Sequence, residues 1–238
     1  MQSPSKPRFL WRRWLPLIVV ALAISLFFLL GFDKYFSFYT LHKHREDLTS
    51  FLLHNPVLTP LLFMLSYTLI VMLSIPIGGF VTMLAGFLFM QPLGTLYSLT
   101  AATLGAFFIF LLYKKAYTQQ VPRKTGSFFH KMEKGFNRNS TSYLLFLRFV
   151  PIFPFWVINL AAAYFKVPTF TFFWTTLVGI IPGTFVYAQA GAGLGAIFEN
   201  GTSFSWDKIF NWQMKLALLA IACLALLPIA VKKIRKKP

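Results

Sequence analysis

The segment Leu147–Asn159 constrains this chain most, because it places an arginine and two prolines in a stretch otherwise apolar enough for a bilayer. A cation at membrane depth is costly, so Arg148 must face a protein interior or a wet cavity. Pro151 and Pro154 remove backbone donors and prevent one straight helix. Broken backbone at that depth is tolerated only where it is buried in protein or lines a cavity. The segment therefore predicts a re-entrant element at a transport-like site.

The composition indicates an all-α polytopic membrane protein with one membrane-embedded unit. Hydrophobic residues make up 57% of the 238 positions and charged residues only 12%. Cys223 is the sole cysteine, which excludes a disulfide framework or a cysteine metal site. His42 and His44 have a spacing that fits no strong ligand motif. We therefore expect no metal and no cofactor.

The net charge of +17 is concentrated in basic clusters beside apolar runs, at 6–13, 114–138 and 232–237. This distribution follows the positive-inside rule, and it predicts a cytoplasmic location for both termini and for the central loop. Lipids with anionic headgroups are the expected partners of these clusters. Nucleic acid is not expected, because no folded basic face or aromatic platform accompanies the charge.

Apolar runs separated by polar segments divide the chain into three parts. Residues 1–50 are predicted to form an anchor helix and a polar connection. The anchor, Trp14–Phe32, lacks a small-x-small cleavage site after it, so we expect it to be uncleaved. Residues 51–200 are predicted to form a membrane domain with paired re-entrant hairpins. Residues 201–238 are predicted to form a last span, at 215–231, and a basic tail.

Within the membrane domain, the apolar region 57–90 is interrupted at Pro76–Gly79, which predicts two half-helices joined by a bend. The second broken segment is 143–165, and full spans are predicted at 95–113 and 170–189. The span at 170–189 contains Gly179, Pro182 and Gly183, and these residues are predicted to interrupt it. The central loop contains an apolar face at helical spacing between 127 and 138, which suits a helix on the membrane surface or one packed on the protein.

The two interrupted regions resemble each other. Pro76–Phe80 and Pro151–Phe155 lie 75 residues apart, and each leads to a pair of small residues, a proline and a Thr-rich helix. Because the two regions enter from opposite sides, the repeat would be inverted. Paired broken helices in an inverted repeat indicate a transporter site near the bilayer midplane.

At these residues the chain resembles the DedA superfamily, also described as the VTT-domain or SNARE-associated Golgi protein family. It is most similar to the branch that bacteria share with eukaryotic late-Golgi proteins. The resemblance is carried by Pro76 through Gly86 and by Arg148, Pro151, Pro154, Asn159, Phe173, Thr176, Gly179, Pro182 and Gly183. It implies a helical bundle with two opposed re-entrant hairpins. It also implies movement of lipids, either phospholipid scrambling or return of polyprenyl-phosphate carriers.

Two departures from the family pattern bear on energy coupling. Proton-coupled bacterial members carry acidic residues at and before the first hairpin, whereas 57–86 contains no Asp or Glu here. Those members also carry a second arginine where this chain has Pro154. The departures argue against carboxylate-based proton coupling and favour passive movement.

Three polar residues are candidate substrate contacts. Arg148 suits a phosphate headgroup, because a guanidinium offers bidentate donors. Asn159 would donate to the substrate or satisfy carbonyls freed by Pro154, and Lys166 would contact a headgroup or extend to the membrane interface. The remaining residues are expected to shape the hairpins only: Pro76, Gly78, Gly79, Gly86, Pro151, Pro154, Gly179, Pro182 and Gly183.

The sequence predicts a lipid transporter or scramblase, not an enzyme. No His, Asp or Glu lies firmly within the apolar spans to act as a general base. The alternative is a non-transporting membrane scaffold, in which Arg148→Ala would impair folding instead of flux. Short loops favour a bacterial inner membrane over a eukaryotic endomembrane. The oligomeric state is left open, a homo-oligomer included.

Overall fold

The structure is a computed structural model that describes residues 43–117, 127–149 and 153–199, with isolated positions beyond them. Side chains of residues 127–134 are not part of that description, and the predicted spans 14–32 and 215–231 lie outside it, as does Pro151. All regular structure in the described ranges is helical. The helices are α1 (Arg45–His54), α2 (Leu58–Met72), α3 (Gly78–Phe89), α4 (Leu93–Tyr117), α5 (Ser127–Phe149), α6 (Phe155–Tyr164) and α7 (Thr169–Glu199).

Two of the described helices, α4 and α7, are long and apolar enough to cross a membrane. Their apolar segments are Leu93–Ala116, with 24 residues, and Thr169–Ala196, with 28 residues. The helices predicted at 95–113 and 170–189 are therefore confirmed, and both have the length and apolarity of a membrane span.

The predicted interruption of the second span was wrong, because α7 continues through Gly179, Pro182 and Gly183 without a break. A proline removes one helical hydrogen bond, but neighbouring helices and local adjustments tolerate it in membrane helices. These three residues therefore do not shape a hairpin.

Three apolar helices are too short to cross a bilayer alone. Helix α2 ends at Met72 and α3 begins at Gly78, which confirms the predicted bend at Pro76–Gly79. Helices α3 and α6 contain 12 and 10 residues. At 1.5 Å per residue they are about 18 and 15 Å long, roughly half the hydrocarbon thickness. These lengths suit half-helices, and their re-entrant placement in a bilayer stays a prediction.

Helix α5 is a pair of helices joined at Asn139, which has an extended backbone. Its side-chain oxygen accepts the Ser142 N–H at 3.0 Å and so caps the second helix of the pair. Before the junction, Phe136 is buried, stacks on Phe165 and meets the Tyr143 ring edge-on. At this position the apolar face packs on the protein itself.

Helices α3 and α7 pack so closely that their backbones touch. A Cβ on Gly86 would collide with the Ala188 carbonyl, and a Cβ on Gly191 would collide with that of Met83. Small residues permit such close approach between membrane helices. Gly86, predicted to shape a hairpin, serves this helix–helix contact. The start of α3, at Gly79, contacts Tyr187, and its end, at Phe87, contacts Gly195, so α3 runs toward the C-terminal end of α7.

Helix α6 runs toward the opposite end of α7. The turn after it is tied to the end of α4, because the Lys114 Nζ donates to the Val167 carbonyl at 2.9 Å and to the Thr169 hydroxyl at 3.0 Å. Thr169 is the first residue of α7. The two short helices therefore begin near the middle of α7 and diverge toward its two ends.

Candidate functional site

A cavity of about 350 Å³ lies where the two proline-containing turns meet. Gly183 and Ala102, which line it, sit near the middle of α7 and α4. The cavity therefore lies near half depth of the two spanning helices. Six residues singled out in the sequence line it together: Pro76, Gly78, Gly79, Arg148, Pro154 and Gly183.

Arg148 is the charged residue of the cavity lining and is only 9% exposed. Its Nη2 donates to Oδ1 of Asn159 at 2.7 Å and to Oγ1 of Thr176 at 3.0 Å. Nε and Nη1 are buried and have no hydrogen-bond partner. A buried donor without a partner is unfavourable, so an acceptor that reached these N–H groups would be bound favourably.

Aromatic rings and a glycine fix the path of the Arg148 side chain. Its Cζ lies 4.3 Å from the centroid of the Phe155 ring and 5.6 Å from that of Phe172. Such cation–π contacts stabilise a guanidinium away from water. A Cβ on Gly179 would lie 2.7 Å from the Arg148 Cβ, so a glycine is needed there. Gly179 thus makes room for Arg148.

The N-termini of α3 and α6 both open onto the cavity. Neither helix has a side-chain cap, and their first residues, Gly78, Gly79, Phe155 and Trp156, line the cavity. The first N–H groups of a helix have no partner within it and carry partial positive charge. Together with Arg148, these helix ends make the cavity suitable for an anion such as a phosphate.

Hydroxyl groups fix the start of α3 against α2. The Gly78 carbonyl accepts hydrogen bonds from the Tyr67 and Thr82 hydroxyls, each at 2.9 Å, and the two hydroxyls lie 2.8 Å apart. All three residues line the cavity. These contacts hold the α3 N-terminus in position beside the cavity.

Asn159 and Lys166, the other candidate substrate contacts, are not among the cavity-lining residues. Asn159 is 1% exposed, and its Oδ1 accepts a hydrogen bond from Arg148. Lys166 is exposed, beyond the far end of α6, and has a φ of 56°. The N–H groups of Lys166 and Val167 bond back to α6 carbonyls as a Schellman cap. Its backbone conformation therefore ends α6.

Several cavity residues were not identified from the sequence. Tyr187 lines the cavity and is 49% exposed. It belongs to a stripe on α7 at the spacing i, i+3, i+4, i+7, formed by Ile180, Gly183, Thr184 and Tyr187. This spacing is visible in the sequence, but nothing in it shows that the stripe faces a cavity instead of packed side chains.

Comparison with known proteins shows the family. Residues 75–193, half of the chain, match the VTT domain. The chain is 29% identical to a Transmembrane protein 41 homolog of Caenorhabditis elegans, over 81% of this chain and 74% of that protein. It is 29% identical to Transmembrane protein 41B of Homo sapiens, over 72% of this chain and 58% of that protein.

A Transmembrane protein 41 homolog of Dictyostelium discoideum is 33% identical, over 70% of this chain and 49% of that protein. The alignment thus spans less than two thirds of the human and Dictyostelium relatives. No solved structure matches the chain. The domain match and these relatives agree with the family predicted from the two proline-containing segments, and the chain belongs to the VTT-domain family of integral membrane proteins, within the DedA superfamily.

Proposed function

We propose that this protein moves lipids with phosphate headgroups between the leaflets of its membrane. One observation carries the proposal: a buried arginine with unpaired N–H groups lines a cavity at half depth of the spanning helices, where two helix N-termini converge. Guanidinium groups and helix N-termini both favour phosphate oxygens. The lining of this recess is largely apolar, but the guanidinium and hydroxyl groups within it lower the cost of carrying a headgroup through hydrocarbon.

The lipid is a phospholipid or a polyprenyl-phosphate carrier, since both present an anionic phosphate group. The movement is passive, because no Asp, Glu or His occurs among the described residues that line the cavity. We propose no catalytic role, since general acid–base chemistry needs such a group near the substrate.

The proposed location is a bacterial inner membrane with both termini cytoplasmic. The support for this orientation is the charge distribution, because positively charged segments are retained in the cytoplasm. Anionic headgroups at that surface are the proposed partners of the basic clusters.

The test is leaflet exchange of fluorescent lipids in proteoliposomes, with separate arms for a phospholipid and a polyprenyl phosphate. Wild-type protein should exchange at least one of them faster than protein-free vesicles do. Arg148→Ala should reduce exchange, and Arg148→Lys should restore part of it, because lysine retains charge but not the planar fork. Wild-type exchange at the protein-free rate would reject transport and leave the scaffold alternative.

A matched control removes the same charge elsewhere. Lys115 lies exposed near the end of α4 and does not line the cavity. Lys115→Ala should leave exchange at the wild-type rate. Equal losses in Lys115→Ala and Arg148→Ala would indicate an effect of net charge on the membrane surface instead of a headgroup site.

A further inference from the structure

The partners of Arg148 are all uncharged. Its Nη2 hydrogen bonds end on an amide oxygen, at Asn159, and on a hydroxyl, at Thr176. Buried arginines are usually paired with a carboxylate, which neutralises them. Among the described residues that line the cavity there is no carboxylate. Within the described cavity lining, the positive charge of Arg148 therefore has no compensating carboxylate.

Both acceptors are rigidly placed. Asn159 lies in α6 and is 1% exposed, and Thr176 lies in α7 and is fully buried. They bind the same terminal nitrogen from two different helices. Nε and Nη1 stay without protein partners. The two acceptors thus orient the guanidinium while leaving the N–H groups of Nε and Nη1 unpaired.

We infer that Asn159 and Thr176 are positioning residues that hold Arg148 without neutralising it, so that the phosphate of the bound lipid is its counter-ion. The inference rests on the headgroup binding in the proposed function and deepens it, because it makes the anionic phosphate the group that the cavity selects. An amide at position 159 is then a requirement: an aspartate there would occupy the guanidinium as an internal ion pair.

Asn159→Asp tests the charge directly. The carboxylate has the size of the amide, and the amide nitrogen it replaces has no hydrogen-bond partner. An ionised oxygen about 3 Å from Nη2 would form a buried charge-assisted pair. The fold should therefore remain as stable to heat in detergent as that of wild type, while affinity for a phosphate lipid falls about ten- to one-hundred-fold.

Thr176 supplies the conservative comparison. Thr176→Ser keeps the hydroxyl that Arg148 binds and should retain wild-type affinity. Thr176→Val keeps the shape, removes the acceptor and should weaken binding. A role in packing alone predicts the opposite order, because valine fills the space of threonine better than serine does.

The measurement is calorimetric titration of purified protein in detergent with dihexanoyl phosphatidylglycerol, with dihexanoylglycerol as the phosphate-free control. Wild type should bind only the phosphate lipid. Wild-type affinity in Asn159→Asp, or weaker binding in Thr176→Ser than in Thr176→Val, would overturn the inference, as would the absence of wild-type binding. Binding without leaflet exchange in proteoliposomes would instead reject the proposed function and leave the inference standing.

Discussion

Replacing Gly183 with leucine should obstruct the cavity while leaving the fold intact. Gly183 lies within α7 and lines the cavity, and a Cβ built on it meets no atom within 4 Å. Glycine inside a helix costs about 1 kcal/mol relative to a good helix former, so Gly183→Leu should raise stability slightly. The cavity, about 350 Å³, is already near the lower end of the range of about 300–1,000 Å³ for ligand sites.

The leucine side chain would occupy the space that a headgroup needs in order to reach Arg148. Loss of one hydrogen bond to a charged group costs about 1.5–3 kcal/mol, which corresponds to exchange slower by about ten-fold or more. The assay is fluorescent-lipid exchange in proteoliposomes, beside thermal unfolding in detergent. Gly183→Ala should show a smaller loss with a similar gain in stability. Wild-type exchange in a folded Gly183→Leu protein would refute the idea that lipid passes through this cavity.

Three other predictions follow from single contacts. Gly86→Ala should lower the free energy of unfolding by about 1–3 kcal/mol, because its Cβ would collide with the Ala188 carbonyl. Gly195→Ala is the control, since its Cβ would make only an ordinary contact with Phe87. Equal melting temperatures for the two variants would contradict the close contact between α3 and α7. Lys166→Gly should stabilise the protein by about 1 kcal/mol, because glycine adopts the positive φ of this position without strain. Lipid exchange should stay at the wild-type rate. Slower lipid exchange would indicate that Lys166 contacts the substrate. Exchange of a phospholipid without a gradient should be equal within about two-fold at pH 6 and pH 8, where imidazole-dependent transport would change, because the described cavity lining contains no histidine.

The sequence determined where the backbone must break. Proline and paired glycines act locally, through a missing donor and a poor helix propensity, so Pro76–Gly79 could be identified as a bend without any knowledge of the fold. The same local rule failed at Pro182, where α7 continues. One missing hydrogen bond does not decide whether a helix kinks or breaks, because the surrounding helices can satisfy the backbone groups that the proline leaves unpaired.

The sequence also determined that Arg148 must be sheltered, because hydrocarbon does not solvate a charge. It did not determine what shelters it. The partners of Arg148 lie 11 and 28 residues further along the chain, in two other helices. Residue type marks Asn159 and Thr176 as hydrogen-bonding groups, but only the packing of α5 against both α6 and α7 decides that both reach one nitrogen.

The glycines show the same division. Composition indicates that small residues permit close contacts, yet the positions singled out as hairpin-forming have different roles in the fold. Gly86 allows α3 to touch α7, Gly179 makes room for Arg148, and Gly183 faces open space. The sequence shows that these positions have no side chain. Which atoms lie next to each glycine depends on helices that are distant along the chain. Local backbone chemistry thus fixed the two turns, and tertiary packing alone brought them together around one cavity.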